Sequence, residues 1–391
     1  MFDDTPLVLV YDRPTLVEVA RRLSECDAIG VDTESDSFYH YQEKVCLLQI
    51  SDADTDYIID PLALRQDLHE LAPIFADRSI TKIFHGADYD VVCLKRDFGW
   101  DISGIFDSLV AAQLLGLPKF GLADLIEKYF GWQLDKAYQR HDWAARPLGP
   151  EHLEYARGDT HWLRAVREIM TLKLEGAGRL AHFEEECAIL EKRAWGARGF
   201  DPEGWNRVKG SNTLDEDGKR VLRKAWAYRD SQAKALDRPQ FKVMPDDVLL
   251  ALAEKLPESE SALDAVVPPR SALRRRHGKA LLQAVQDGLD DDSVLPKQTK
   301  EKPTGPKPRL VGKVAERVLA ELKLWRNRRG KNNQTSAFTV ASNGTLKSIA
   351  LQRPRTMEEL ATTPDVRKWQ VAEFGQEILD VLDKADPPRK G

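Results

Sequence analysis

The sequence is poor in cysteine and has no long apolar run. Its four cysteines are Cys26, Cys46, Cys93 and Cys187, and none belongs to a CxxC pair. This scarcity disfavours a disulfide scaffold or a cysteine-based zinc site and is typical of reduced thiols in a cytosolic protein. No apolar stretch approaches the roughly 18 residues that a membrane-spanning helix needs. The start, MFDDTPLVLV, also lacks the basic segment and apolar core of a signal peptide. We therefore expect a cytoplasmic protein without a membrane contact.

An overall excess of positive charge is lacking too, since the net charge of the 391 residues is −5. The basic residues are nevertheless unevenly distributed. Between residues 302 and 331 only Glu316 and Glu321 accompany a basic set made of Lys302, Lys307, Arg309, Lys313, Arg317, Lys323, Arg326, Arg328, Arg329 and Lys331. A local excess of this kind can follow a nucleic-acid backbone. The alternative is a solvated helix face next to a charged linker.

The first 200 residues alternate strand-like and helix-like segments. The strand-like runs are LVLVYD, AIGVDTE, VCLLQIS, DYIID and ITKIFHG. The second, third and fourth runs follow one another across short polar connections, which predicts neighbouring antiparallel strands. Helical spacing dominates from about residue 87 to residue 190. This order predicts an α/β domain over residues 1–200, in which helices flank a mixed sheet.

Beyond residue 200 the pattern is helical and repeats itself. The motif W-x2-R occurs at 226–229 and again at 325–328, and F-x-V follows each copy at a similar distance. We therefore expect two related all-α domains, over residues 212–292 and 310–388. The segment between them, 293–309, is rich in proline and charge, which predicts an extended linker.

Two carboxylates follow a predicted buried strand. Asp32 and Glu34 are two residues apart, so their side chains leave the same face of the strand. The apolar residues before them, 28–31, place that strand in the core and the two acids at its end. A pair of ordinary exposed acids at a strand end is the alternative.

Two further motifs lie on predicted helices. Asp90 begins a helix, where a carboxylate also suits a capping role, and Asp88 competes for the same position. Tyr155 and Asp159 are four residues apart and share one helical face. A phenol one turn before a metal-binding carboxylate can hold an attacking water, whereas a core tyrosine beside a surface aspartate is the alternative. Clustered carboxylates repel one another unless a hard divalent cation lies between them, so the set indicates a metal site suited to phosphoryl chemistry.

Taken together, the three motifs resemble the tyrosine-containing branch of the DEDD exonuclease superfamily, and within it the ribonuclease D family. The resemblance rests on D-T-E at 32–34, H-G-A-D-Y-D at 85–90 and Y-x3-D at 155–159. The segments IFDS at 105–108 and DWAARPL at 142–148 are also similar to that family's sequence. The spacing H-x4-D in this alignment selects Asp90 rather than Asp88. The two C-terminal repeats resemble HRDC domains, so the likeness covers almost the full chain.

The resemblance implies an RNase H-like fold and 3′→5′ exonucleolysis of RNA with two Mg²⁺ or Mn²⁺ ions. It implies that Asp32 bridges both ions, that Glu34 and Asp159 complete the site of the ion that activates water, and that Asp90 holds the second ion. It implies that Tyr155 orients the water. The implied substrates are RNAs with a free 3′ end, and tRNA precursors above all.

Several basic residues are expected to contact RNA. Arg146 is a phosphate-contact candidate, with a structural ion pair as the alternative. Arg326, Arg328, Arg329 and Lys331 are candidates in the second helical repeat. Contacts of this type carry affinity without sequence preference. Two other functions stay open, a 3′→5′ DNA exonuclease and a non-catalytic RNA-binding protein, since nothing in the acids recognises a 2′-hydroxyl.

Overall fold

The computed structural model describes residues 5–196, 199–293, 312–332 and 337–387. The first domain is built on one six-stranded sheet. Its strands are β1 (Leu7–Val10), β2 (Ala28–Ser35), β3 (Val45–Ser51), β4 (Asp56–Ile59), β5 (Thr81–Phe84) and β6 (Ile105–Asp107). Their order across the sheet is β1-β4-β3-β2-β5-β6. The pairs β2–β3 and β3–β4 are antiparallel and the other three are parallel, so the predicted mixed sheet and its central meander are confirmed.

Helices cover both faces of this sheet. The described residues of the domain form α1 (Arg13–Leu23), α2 (Pro61–Leu64), α3 (Ala72–Ala76), α4 (Asp88–Phe98), α5 (Ser108–Leu114), α6 (Leu122–Phe130), α7 (Pro150–His161), α8 (Leu163–Gly176) and α9 (Leu180–Leu190). A short 3₁₀ helix spans Leu68–Leu71. Strand β6 was not predicted, because three residues are too few to display an alternating pattern.

The rest of the described chain is helical. Two 3₁₀ turns, Gly204–Arg207 and Ser211–Thr213, lead into module 1, made of α10 (Glu216–Ala235), α11 (Gln240–Val243), α12 (Asp246–Lys255), α13 (Glu260–Leu263) and α14 (Ala272–Leu289). Module 2 is made of α15 (Lys313–Asn332), α16 (Ala337–Val340), α17 (Asn343–Gln352), α18 (Met357–Ala361) and α19 (Lys368–Ala385). The linker predicted at 293–309 lies outside the described residues from 294 onward. The bounds 1–200, 212–292 and 310–388 stay predictions.

The two modules repeat with an offset of 97 residues, since α10 begins at 216 and α15 at 313. The W-x2-R alignment of the sequence uses an offset of 99 and is therefore wrong by two residues. At the correct offset Arg229 corresponds to Arg326. The ring pair Tyr228–His277 likewise corresponds to Trp325–Phe374. The ring centroids of these pairs are 5.9 and 5.8 Å apart, and both interplanar angles are 75°.

The modules attach to the first domain at different places. Module 1 contacts the loop after β2, where His40 Nδ1 lies 2.7 Å from Asp237 Oδ2 and the Tyr41 hydroxyl donates to Asp230 over 2.9 Å. Module 2 contacts α9, where Arg367 pairs with Glu186. The apolar core of module 2 is continuous with that of the first domain, whereas module 1 has a core of its own.

Two of the expectations from composition concern thiols and membranes. All four cysteines are free; Cys46, Cys93 and Cys187 are buried and Cys26 is half-buried. Among the described residues, no helix has both the length and the apolar character required to cross a bilayer.

Candidate active site

Three carboxylates meet where β2 and α7 come together. Asp32 and Glu34 leave the same face of β2, and Asp159 projects from α7, which packs across that face. One oxygen of each carboxylate lies within 4.8 Å of the other two. We call Asp32, Glu34 and Asp159 the acidic cluster. All three side chains are half-buried, and residues 127 positions apart in the sequence meet here because the helix crosses the strand end.

Glycine at position 30 allows this close approach. Gly30 lies two residues before Asp32 on the same face of β2. A Cβ atom there would lie 2.8 Å from the carbonyl oxygen of Thr160 and 3.2 Å from Cβ of Leu163. Real Cβ atoms do not approach a carbonyl oxygen so closely, so a side chain at this position would push α7 away from the strand. The glycine therefore sets the distance between Asp159 and the acids of β2.

A buried polar network also fixes α7 against the sheet. The Asp56 carboxylate accepts from Arg157 Nε at 2.5 Å, lies 2.9 Å from His161 Nδ1 and accepts from the Ser51 hydroxyl at 2.6 Å. These contacts tie the helix to β3 and β4. The sequence motifs did not include Asp56 or Arg157, although both are almost fully buried.

Asp90 approaches the cluster from the first turn of α4. It is 8% exposed, and its carboxylate accepts a hydrogen bond from the Thr33 hydroxyl at 2.5 Å. Asp88, by contrast, points to solvent and pairs with Arg193 at 2.7 Å. The geometry therefore favours Asp90 over Asp88. Thr33, the residue between Asp32 and Glu34, therefore orients Asp90.

Asp107 caps α5 by accepting from the backbone N–H groups of Leu109 and Val110. It also accepts from the N–H groups of Gly86 and Ala87, just before α4. One buried carboxylate therefore holds the starts of two helices, including the one that carries Asp90.

The acids raise one another's affinity for protons. Burial first, and then the charges of Asp90, Asp159 and Glu34, raises the pKa of Asp32 well above its ordinary value. Burial and the charge of Asp90 raise the pKa of Asp159 to about 7. Burial raises the pKa of Asp90 to about 6, although the hydrogen bond from Thr33 opposes the shift. Such shifts are expected where carboxylates are held together without a cation.

Tyr155 lies one helical turn before Asp159, as predicted. Its ring makes an edge contact with Tyr138 and a tilted contact with Trp143, with centroid distances of 5.9 and 5.8 Å. Trp143 is fully buried, so the loop that carries both aromatic residues holds the phenol in place. Burial, followed by the charges of Asp159 and Glu34, raises the pKa of Tyr155. The phenol is therefore neutral at physiological pH and can donate as well as accept a hydrogen bond.

The donor set of the acidic cluster fits a hard divalent cation. It consists of carboxylate oxygens, the ligands that Mg²⁺ and Mn²⁺ prefer. Three like charges within one ligand shell are costly without a cation and favourable around one. The cluster is thus compatible with divalent metal binding.

Comparison with known proteins supports the interpretation of this site as that of a 3′-5′ exonuclease. A family model described as 3′-5′ exonuclease matches residues 7–175, and a model described as HRDC domain matches residues 218–285 and 315–382. A curated Ribonuclease D from Desulfotalea psychrophila is 32% identical over 289 residues, which cover 73% of this chain and 76% of the relative. The chain belongs to the ribonuclease D family. The predicted exonuclease domain followed by HRDC domains is thereby confirmed, and these relatives support the predicted exoribonuclease.

Two further likenesses show how far the family resemblance extends. The Exosome complex component 10 homolog of Caenorhabditis elegans is 32% identical over 290 residues, which cover 73% of this chain. The matched region is 33% of that relative, so the chain spans about a third of its length. The crystal structure of Escherichia coli RNase D has a TM-score of 0.70 at 23% identity and covers 96% of this chain and 98% of its own. At that identity the likeness establishes the fold alone.

The structure changes the interpretation of two basic residues in this ribonuclease D family member. Arg146 donates to Asp60 at 2.7 Å and to the carbonyl oxygens of Trp143 and Cys46, so it ties the loop of Trp143 to the sheet. Arg326 is 7% exposed, and its guanidinium donates to the carbonyl oxygen of Ala341. The structure therefore favours the structural ion pair for Arg146, and a structural role for Arg326, over the predicted RNA contacts, because both guanidinium groups bind acceptors inside the protein.

The other three basic candidates lie closer to solvent. Arg329 is half-buried and pairs with Glu377 at 3.2 Å. Arg328 and Lys331 are exposed on the same helix, α15. Of the four RNA-contact candidates in module 2, Arg328 and Lys331 are therefore the two with exposed side chains, and we call this pair the α15 surface.

Proposed function

We propose that the protein is a 3′→5′ exoribonuclease that hydrolyses phosphodiester bonds and releases nucleoside 5′-monophosphates. The observation that carries the proposal is the convergence of Asp32, Glu34 and Asp159, with Tyr155 one turn away, inside a 3′-5′ exonuclease domain. The substrates would be RNAs with a free 3′ end, tRNA precursors among them. The cytoplasmic location expected from the sequence stays a prediction.

Two divalent cations, Mg²⁺ or Mn²⁺, would be held by the acids of this site. Asp32 would bridge them, Glu34 and Asp159 would complete the binding of one, and Asp90 would bind the other. Bound there, such ions lower the pKa of a water and neutralise charge on the departing 3′-oxygen. The shape of the cluster supports this division, because Asp90 lies outside the group of three and is oriented separately by Thr33.

The protein's own residues would position the attacking water and the strand. The neutral phenol of Tyr155 would accept or donate a hydrogen bond to that water, and its ring is fixed by Tyr138 and Trp143. The fixed ring matters because a misplaced catalytic group loses rate steeply with distance. Exposed basic residues such as Arg328 and Lys331 would contact phosphates of the RNA beyond the scissile bond.

The test uses Asp32→Asn and Tyr155→Phe in the full chain on a 5′-labelled RNA. We expect Asp32→Asn to abolish hydrolysis in Mg²⁺ while RNA binding is largely kept, because the amide removes one charge from the cluster. Tyr155→Phe should lower kcat by 10²-fold or more with little change in affinity. Full activity of Asp32→Asn would contradict the metal site, and an unchanged rate of Tyr155→Phe would remove its role in orienting water.

Parallel digestion of matched RNA and DNA strands tests the choice of sugar. Faster digestion of RNA supports the proposal, and equal or faster digestion of DNA favours the 3′→5′ DNA exonuclease. Absence of any metal-dependent turnover on either strand would favour the non-catalytic RNA-binding protein.

A further inference from the structure

A buried glutamine lies directly opposite Asp32 in the sheet. In the antiparallel pair β2–β3, Asp32 is the register partner of Gln49 and Glu34 is the partner of Leu47. Side chains of directly opposed residues leave the same face, with Cβ atoms about 4.5–5.5 Å apart. The Gln49 amide therefore lies on the face of the acidic cluster and within a rotamer change of the Asp32 carboxylate.

Helix α7 covers this glutamine. The Thr160 hydroxyl lies 2.7 Å from that of Ser51, two residues beyond Gln49 on the same face of β3. One turn earlier on α7, Ala156 packs in the same apolar cluster as Leu47, two residues before Gln49. Gln49 is thus enclosed between the strand and the turn of α7 that carries Asp159.

The side chain of Gln49 has no partner inside the described protein. It is 0% exposed, and neither its amide nitrogen nor its amide oxygen makes a hydrogen bond to any residue that the structure describes. Within those residues it is the only side chain with two buried polar atoms left unpaired. Buried amides are otherwise almost always paired, because an unpaired one loses its hydration without compensation. An apolar side chain of similar length would pack at this site without that loss.

We propose that Gln49 is a positioning residue for the acidic cluster. When a divalent cation is bound, the side-chain amide turns to donate a hydrogen bond to the Asp32 carboxylate and fixes it in the orientation that binds the cation. This inference rests on the proposed function, since it requires the cluster to bind such a cation. Carboxylates that bind metals are commonly held by hydrogen bonds of this kind, and loss of such a partner typically lowers metal affinity about 10–100-fold.

The experiment measures Mn²⁺ binding to the full chain by electron paramagnetic resonance of the free ion. Gln49→Met removes the amide and keeps the length of the side chain, and we expect Mn²⁺ affinity to fall about 10–100-fold. In metal-free buffer the same variant should melt at the same or a higher temperature than the wild type, because it removes a buried unpaired amide. Leu47→Met is the matched control, since it alters the same strand and face beside Glu34, and its Mn²⁺ affinity should be unchanged.

The possible results separate this inference from the function on which it rests. If Asp32→Asn binds Mn²⁺ as the wild type does, the cluster is not a cation site and the proposed function fails. If Asp32→Asn loses Mn²⁺ while Gln49→Met retains wild-type affinity, only the role of Gln49 is refuted. Gln49→Asn, which keeps an amide on a shorter side chain, replaces Gln49→Met if that variant does not fold. Weaker Mn²⁺ binding with an unchanged metal-free melting temperature then supports the proposal, and unchanged binding overturns it.

Discussion

Two regions of the molecule bury charged side chains. They differ in whether each buried charge has a hydrogen-bonding partner in the protein. In the modules, Arg229 and Arg326 are both almost fully buried. Arg229 donates to the carbonyl oxygen of Met244 and to Asp246, and Arg326 donates to the carbonyl oxygen of Ala341 and to Asn343. In each module the two acceptors lie 15 and 17 residues after the arginine. In the acidic cluster, like charges face one another instead.

This difference distinguishes buried charges that stabilise the fold from buried charges that serve a ligand. The arginines connect the first long helix of each module to the turn before its third helix, so each charge has fixed acceptors. The acids of the cluster are held by the backbone packing of α7 against β2 and gain nothing from one another. A site with this cost is expected where the missing partner is a ligand.

The largest effect is expected from breaking one arginine contact. Arg326→Met leaves the carbonyl oxygen of Ala341 and the side chain of Asn343 without their donor, and we expect module 2 to lose about 2–4 kcal/mol of its free energy of unfolding. Hydrogen exchange of α15 amides in the full chain measures the loss. Arg328→Met, an exposed change on the same helix, should stay within about 0.5 kcal/mol of the wild type. Equal effects of the two variants would contradict the structural role of the buried arginine.

A smaller loss is expected from separating the two halves of the acidic cluster. Gly30→Ala places a Cβ against the Thr160 carbonyl, and we expect a cost of about 1–3 kcal/mol in unfolding free energy as α7 shifts. The hydrolysis rate should fall by about 10–100-fold, because Asp159 moves relative to Asp32. Gly176→Ala is the control, since a Cβ there meets nothing within 4 Å. Denaturant unfolding measures the first quantity and single-turnover hydrolysis the second. Wild-type values of both for Gly30→Ala would show that the close contact at Gly30 does not set the distance between α7 and β2.

Much of the acidic site and of the sheet that carries it could be predicted from the sequence. The period-two placement of Asp32 and Glu34 and the four-residue spacing of Tyr155 and Asp159 correctly predicted shared faces. Antiparallel strands 2 to 4 followed from short polar connections. Local spacing is informative there because each motif lies within a single element.

The rest depended on which elements meet in space. In the sequence, Gln49 is a single polar residue in an apolar strand. Only the pairing of β2 with β3 shows that it lies opposite Asp32. Thr33 and Asp107 gain their roles from α4, a helix more than fifty residues after β2. The burial of Arg326 could have been recognised from the constant offset of 97 residues to Arg229, but the tryptophans suggested another alignment.

The pH dependence of the free energy of unfolding should distinguish buried charges without a partner from buried charges that are paired. The pKa of Asp159 is raised to about 7 and that of Asp90 to about 6, so the folded metal-free protein binds protons that the unfolded chain has released. The free energy of unfolding should therefore fall as the pH rises from about 4 to about 7, by at most about 1.4 kcal/mol per pH unit for each extra proton. Urea unfolding in a metal chelator measures this slope. Asp32→Asn should flatten it, because it removes one charge from the group, and an unchanged slope in that variant would assign the pH dependence to other residues.

The smallest effect is expected at the α15 surface, where charge is neither buried nor paired with a described acid. The double variant Arg328→Glu, Lys331→Glu should weaken RNA binding about 3–10-fold and reduce the salt dependence of the binding constant, since phosphate contacts release counterions. The single variant Lys331→Glu is compared with Lys234→Glu as its matched control, because at the offset of 97 residues Lys234 occupies the position of Lys331 on the equivalent helix of module 1 and both changes remove two units of positive charge. Fluorescence anisotropy at several salt concentrations measures both quantities. Equal losses in the two modules would mean that the effect follows overall charge, and no loss in either would exclude the α15 surface from the RNA path.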